Sequence, residues 1–454
     1  MLFQSQVDQT LSKMFDTTVL TSSSTRKTEA AKRLDFYHDQ QIDYINDRLT
    51  AYFSDPDRLT PAFFNVVKKI INQLAAVYAK DPVREITGGE NEKQDIAIFQ
   101  EIVESSRLSV KMKIASRYAE LLKTVLLRPV WRKGRMDLDI LTPDQLDVSY
   151  GDTPEDLTAV IITHFPESGK YDEVEYSLWN AEEWRRLNWQ GHTIDSGSNP
   201  YGILPFVPVW DRYPIADFWQ EGGDDLINVQ ECINEKLTDL IYCIRQQGFG
   251  VGWIRKGAKG GGLLQVDPGN LVELPENGAL GFESQKAPIK EIVGAIEFLI
   301  TQAGIMNGLS SSSLSTTTTR ESGLAKVQSA RELEEQRRDD IVLWTQYEKR
   351  LFDVFATVWN THNPQRMFSD NSRLRINFAD PKPVLTPKEQ AETDRMLMDL
   401  GLKSPVDCIL EQDPDIQTRE QAMERLQQIK TENDQFRPMP ADPAKSLTME
   451  KTGD

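Results

Sequence analysis

The chain has 454 residues, of which 39% are hydrophobic, including 9 Trp, 18 Phe and 12 Tyr; this is apolar area enough for a sizeable core and a length suited to about three domains. A formal charge of −18 excludes general binding of nucleic acid or anionic membrane over the whole surface, and leaves room for one local contact. Three widely spaced cysteines (Cys232, Cys243, Cys408) and four scattered histidines make no disulfide framework and no zinc spacing, there is no basic-then-apolar leader, and no apolar run reaches about 18 residues, so a chain of a reducing compartment that neither carries a standard secretion signal nor spans a membrane is expected.

The first 130 residues read as helical. "STRKTEAAKRLDFYHDQQIDYINDRLTAYF" opens at a Ser/Thr cap and "PAFFNVVKKIINQLAAVYAKDPV" at Pro61, a favoured first-turn position. From Val125 short alternating runs broken by turn residues predict a small antiparallel sheet, closed by "SNPYGILPFVPVWD". After Gly222 and Gly223, the residues Leu226, Val229, Ile233, Leu237, Leu240 and Ile244 recur at helical spacing behind an Asp pair, predicting a helix of about seven turns. Phe249 to Ser284 reads as short strands with tight Gly and Asn turns, and "IKEIVGAIEFLITQAGIM" as a return helix. The longest helix is expected over roughly Ser322 to Asn360. Its first half, "RELEEQRRDD", is charged all round, and its second half is amphipathic through Ile341, Trp344, Leu351, Phe355 and Val358. Capping boxes at Thr386 to Glu389 and Thr418 to Gln421, and a cap at Ser404 followed by Pro405 and Asp407, imply a small helical domain. The Pro-rich polar tail from Arg437 is disordered by composition.

Catalytic and nucleotide signatures are missing. "GFGVGW" (Gly248 to Trp253) puts Trp253 where a third phosphate-loop glycine belongs, in a helix-to-strand setting, and reads as a turn or close backbone approach. "GAKGGG" (Gly257 to Gly262) reads as a hairpin tip. One enzyme-like feature stands out: Trp179, Trp184, Trp189, Trp210 and Trp219 crowd together with Glu173, Glu175, Glu182 and Glu183. Indoles beside paired carboxylates suit a hydrolase or carbohydrate-acting enzyme working through region 173–219, and they equally suit sheet-face packing.

Nine of the ten residues from Ser310 to Thr319 carry hydroxyls, between two helices. Such a run builds no core of its own. It is either a flexible linker or a surface in contact with something that hydroxyls suit. The charges of "RELEEQRRDD" leave a similar pair of readings, a solvated helix or one facing complementary charge on a neighbouring chain.

Five segments in order sharpen the picture: "LTPDQLDV" (Leu141 to Val148), "NPYGILPFVPV" (Asn199 to Val209), "DPGNLVELPENGALGF" (Asp267 to Phe282), "RESGLAKVQSARELEEQ" (Arg320 to Gln336) and "GLKSPVDCILEQDPDIQTREQAMERLQQIKTEN". With the succession of elements they resemble the portal proteins, the head-tail connectors, of tailed double-stranded DNA bacteriophages. The resemblance leaves out the extreme N-terminus and the tail.

It implies a mostly helical α+β portal fold with wing, stem, clip and crown, assembling into a cyclic ring with a central channel. The implied divisions are a wing over 1–221, a first stem helix over 222–247, a clip over 248–288, a second stem helix over 289–306, a tunnel loop over 307–323, a long kinked helix and return to the wing over 324–384, a crown over 385–436 and a tail over 437–454. It further implies a non-enzymatic virion protein at one capsid vertex, assembled in the host cytoplasm, without cofactor, metal or membrane. Its partners would be its own copies in a dodecamer, double-stranded DNA, terminase, major capsid and scaffolding proteins, and a head-tail adaptor. Ser310, Ser311, Ser312, Ser313, Ser315, Thr316, Thr317, Thr318, Thr319 and Arg320 would then face DNA, Arg320 being as able to pair with Glu321. Arg255, Lys256, Lys259, Asn270, Glu276 and Asn277 would dock partners at the clip, and Arg331, Glu334, Glu335, Arg337 and Arg338 would lie between subunits.

Overall fold

The computed structural model describes residues 24–52, 59–249, 251–255, 279–283, 288–309, 314, 323–378, 387–412, 416 and 418–436. The fold is α+β, in two compact units, Met1–Ala379 and Asp380–Asp454.

The first unit starts with three helices, α1 (Ser24–Tyr37), α2 (Ile42–Tyr52) and α3 (Val66–Leu74). Val66, Val67, Ile70, Ile71 and Leu74 form the buried stripe of α3, and the Asn65 side chain caps it by accepting from the Lys68 amide at 2.8 Å. Strand β1 (Val83–Thr87) leads to α4 (Glu92–Ser106) and α5 (Leu108–Leu122), which are separated only by Arg107 in the left-handed conformation.

Where alternating runs predicted one small sheet, the chain makes two. β2 (Thr124–Arg132) and β3 (Arg135–Leu141) form a hairpin through Lys133 and Gly134, both at positive φ, as a two-residue turn matched to strand twist requires. β4 (Leu146–Tyr150), β5 (Leu157–His164), β6 (Glu175–Asn180), β7 (Glu183–Asn188) and β8 (Thr193–Ser198) form an antiparallel meander. β9 (Val207–Trp210) leaves that meander and returns to β2, giving the order β3-β2-β9. The reason lies in side-chain pattern: Val125, Leu126 and Leu127 of β2 and all of β9 are buried, so these strands belong inside, whereas β7 and β8 show mostly exposed side chains.

The chain then runs through α6 (Asp224–Phe249), β10 (Val251–Arg255), β11 (Ala279–Glu283), α7 (Ile289–Met306), α8 (Gly323–His362) and β12 (Arg373–Asn377), the last pairing antiparallel with β1. The second half of α8 is the axis of the core. Trp344, Tyr347, Leu351, Phe352, Phe355, Val358 and Trp359 are buried along it, and it packs on β2, β9 and β12. Glu348 sits within this stripe at 1% side-chain exposure, paired with Arg84 of β1 and accepting the Tyr78 hydroxyl at 2.8 Å, so a buried charge is both neutralised and hydrogen-bonded. Lys27 and Asp147 form a second buried pair at 2.5 Å, fastening α1 to β4.

The second unit consists of α9 (Pro387–Asp399), α10 (Pro405–Gln412) and α11 (Arg419–Phe436). Two of its caps, at Ser404 and Thr418, are those expected from sequence, and the third, at Thr386, lies outside the described residues. The Ser404 hydroxyl donates to Asp407 at 2.6 Å and accepts its amide at 3.3 Å, and Thr418 and Gln421 exchange amide bonds at 3.2 and 3.3 Å. Met396, Leu400, Leu402 and Met423 are each more than half exposed on this unit.

Candidate functional site

Helices α6 and α7 pack on each other, joined by the antiparallel pair β10 and β11. The N-terminal helices hold α6 from two sides. On one, Lys32 and Arg48 pair with Glu231 at 2.6 and 3.0 Å, Arg48 also reaches Glu235, and Arg33 pairs with Asp224. On the other runs a buried amide ladder. Gln230 Oε1 accepts the Val66 and Val67 amides at 2.8 and 3.2 Å, Gln230 Nε2 donates to Phe64 O and Asn234 Oδ1, and Asn234 Nδ2 donates to Gln41 Oε1 at 2.8 Å. Val66 and Val67 open α3, so Gln230 satisfies two amides that have no partner inside their own helix.

Leu237, Ile296 and Ala303 carry the α6 and α7 packing into the main core. The opposite side of α7 remains in water: Phe298 is 62% exposed, Ile305 48% and Met306 69%. On a helix of 18 residues with charges only at Lys290, Glu291 and Glu297, this is an apolar face without cover among the described residues.

The end of α7 is built to redirect the chain. Leu309 N donates to Gly304 O at 2.9 Å and Gly308 N to Ile305 O at 3.0 Å, with Gly308 at φ 74, which is the Schellman arrangement that a glycine supports best. Beyond it, two leucines are buried: Leu309 is 6% exposed and Leu314 3%. Leu314 sits against Gly304, where any Cβ would collide with its Cδ1.

On α8, Glu335 and Arg338 are exposed and Glu334 is half-buried, while Arg337 is buried with its Nε donating to Ala76 O of its own chain at 3.2 Å. Arg337 is thus part of this chain's own packing rather than of a helix charged all round. One turn on, Asp340 meets a cluster at the junction of α5 and β9. Lys123 lies 3.1 Å from Glu120 and 3.0 Å from Asp211. Burial first, then repulsion from Glu120, Asp211 and Asp339, pushes the Asp340 carboxyl up to about 7, with Lys123 opposing. Burial also raises Asp211, whose Oδ1 has no hydrogen-bond partner.

Of the residues expected to face a channel, Ser310, Ser311, Ser312, Ser313, Ser315, Thr316, Thr317, Thr318, Thr319 and Arg320 lie outside the described residues, as do Lys256, Lys259, Asn270, Glu276 and Asn277. Arg255 ends β10, and Arg331 lies on α8.

The enzyme reading of region 173–219 is not supported. Trp210 is fully buried, Trp219 lies beneath Arg26 at 3.8 Å, Trp189 meets Tyr171, and Trp179 stacks between Trp184 and Arg128. The carboxylates are engaged locally: Glu173 accepts from Ser168, Glu175 faces Arg186 at 3.6 Å and Glu183 pairs with Arg185 at 2.5 Å. His38, His164 and His362 each share a hydrogen bond with a hydroxyl. Among the described residues no cluster of His, Cys, Asp and Glu could hold a metal, and no helix is long and apolar enough to cross a membrane.

Sequence reading missed the amide ladder. Its signal was present, two neutral amides four residues apart beside the apolar stripe of α6, at Gln230 and Asn234.

No family model and no curated protein matches this sequence. Among solved structures, the chain is similar to one from the neck of an empty GTA particle computed with C6 symmetry, at TM-score 0.40 and 14% identity, over 76% of this chain and 89% of that one. It is similar as well to a chain of the virion of a native gene transfer agent (GTA) particle, at TM-score 0.37 and 11% identity, over 81% of this chain and 98% of that one. A chain from the neck of a native GTA particle computed with C12 symmetry gives TM-score 0.38 and 12% identity, over 75% of this chain and 86% of that one.

Proposed function

We propose that this chain is the subunit of a portal ring, a structural conduit for double-stranded DNA in a phage-like particle, with no catalysis of its own. The observation that carries the reading is α7. It is packed on α6 along one side and presents Phe298, Ile305 and Met306 to water on another, a face that neighbouring copies would bury in a head-to-tail ring. The exposed charges of α8, Glu335 and Arg338, together with Glu334, supply polar complementarity at the same interface.

In this ring the hydroxyls from Ser310 to Thr319 line the channel. Hydroxyls hydrogen-bond phosphate without base preference. Unlike Lys or Arg they release no counterions, so they create no deep salt-dependent well along a moving duplex. Arg320 is the local positive exception. The β10 and β11 end, with Arg255, would meet the packaging terminase and the head-tail adaptor, and the outer surface would meet capsid and scaffolding proteins.

The test is the mass of the purified full chain by native mass spectrometry. A species of about twelve or thirteen chains supports the ring, since heterologous contacts that close give cyclic assemblies. A monomer or dimer that persists across protein concentration and salt counts against it.

A further inference from the structure

Arg128 lies in β2 and is a cation without a counterpart. It makes no hydrogen bond and no ion pair among the described residues, and its buried Nε faces no acceptor. Aromatic rings hold it instead. Its guanidinium lies 4.7 Å from the ring centre of Trp179 and 5.4 Å from that of Phe206, and Trp179 stacks on Trp184 at 6.2 Å. Backbone register sets this clamp: Leu127 pairs with Val207, so Phe206 comes beside Arg128 on the β9 side, while Trp179 reaches over from β6 of the meander. Burial pushes the guanidinium down from its ordinary value, with Asp139 opposing. Native structures seldom leave a half-buried charge unbonded.

The neighbouring charges are already spent on one another. Asp139 stands opposite Arg128 in the β2 and β3 register, yet both its oxygens are taken by Arg132, at 2.7 and 2.6 Å. Asp137 pairs with Lys111, with Arg132 at 3.6 Å. On the meander side Glu175 faces Arg186 at 3.6 Å. His164, bonded to Ser177, is held below its ordinary value by burial and then by Arg128, so it adds no charge near neutral pH. Lys111, Arg128, Arg132 and Arg186 therefore meet only Asp137, Asp139 and Glu175, and the cation in excess is the one without a bond. We infer that Arg128 is a binding site for one carboxylate, either free or carried by an acidic residue of another protein. A guanidinium laid on a ring keeps its N–H bonds in its own plane, where the two oxygens of a carboxylate match them. A single positive charge is neutralised by a monoanion. A phosphate dianion would leave negative charge against Asp139 and Glu175, and a nucleic-acid strand would bring its further phosphates against the same carboxylates.

The experiment is arginine labelling of the full chain by phenylglyoxal, read at each arginine by peptide mass mapping at fixed ionic strength. Arg128 should be labelled in chloride. Sodium acetate, or a capped peptide with one glutamate, should slow its labelling at least about threefold, the protection given by a ligand at twice its Kd, and leave Arg132 unchanged. Protection by acetate assigns the site to a free carboxylate, and protection by the peptide alone to one carried by a protein. Arg128→Met keeps apolar contact with Trp179 and removes the charge, so it should raise the melting temperature in chloride and lose the stabilisation that acetate gives the native chain. Four results would overturn the inference: no labelling of Arg128 in chloride, no protection by acetate or peptide beyond that of chloride, stronger protection by phosphate or a DNA duplex, or an Arg128→Met chain that acetate still stabilises.

Discussion

Leu314 occupies space against Gly304 that any side chain at position 304 would take, so the glycine is what lets Leu314 pack on α7. Gly304→Ala should cost about 1–3 kcal/mol by overpacking, and Leu314→Ala about 2–4 kcal/mol by cavity formation. Together they should cost clearly less than the sum, because the second change makes room for the first. A double-mutant cycle in urea measures this coupling.

Asp340 predicts a pH dependence with a definite sign. Its folded value near 7 stands above the ordinary 3.8, so between those values the folded chain holds a proton that the unfolded chain has lost. Stability from this group therefore falls as pH rises from about 4 to 7, and the full cost of the buried charge is present above 7. Asp340→Asn should stabilise the chain at pH 8, by on the order of 2–4 kcal/mol, and the gain should shrink toward pH 4. Denaturation midpoints of both proteins at several pH values decide it; a gain independent of pH would remove the titration from the explanation.

Phe298 tests the assembly reading. At 62% exposure it adds little to the fold of the single chain, so Phe298→Glu should leave the melting temperature within about 2 °C while lowering the particle mass toward that of one subunit. Native mass spectrometry reads the outcome directly. An unchanged mass would move the interface elsewhere.

Gln230 predicts a purely structural loss. Gln230→Leu keeps volume and helix preference, yet it leaves the Val67 amide and Asn234 short of a partner, while the Val66 amide keeps Phe64 O at 2.9 Å. The expected cost is about 2–4 kcal/mol, the sum of unsatisfied buried groups, seen as a lower denaturant midpoint. Asn234→Leu should cost less, since no main-chain amide depends on it.

Periodic patterns made much of this architecture legible. The stripe from Leu226 to Ile244 gave α6, the run from Trp344 to Val358 gave the buried half of α8, and the boxes at Ser404 and Thr418 gave two helix starts. What stayed hidden depends on partners distant in sequence. Nothing within "FVPVWD" says that its strand pairs with Thr124 to Leu127, so one sheet was expected where there are two. Arg337 reads as surface charge until Ala76, 261 positions earlier, is placed beside it. Leu314 reads as an interruption of a polar run until Gly304 is seen beneath it. Local patterns report faces, and they are silent about which far segment will cover them.

The bare side of α7 also sets how the free chain behaves before it meets its neighbours. A helix that keeps Phe298 and Met306 in water would bury apolar area on association, while a net charge of −18 on each copy opposes it. Screening shortens that repulsion to about 10 Å at 0.1 M salt and leaves apolar attraction in place, so ionic strength works as a throttle on nucleation. If copies assemble through this helix, low concentration and low salt would keep them dispersed, and higher concentration or added counterions would bring two of these helices within reach.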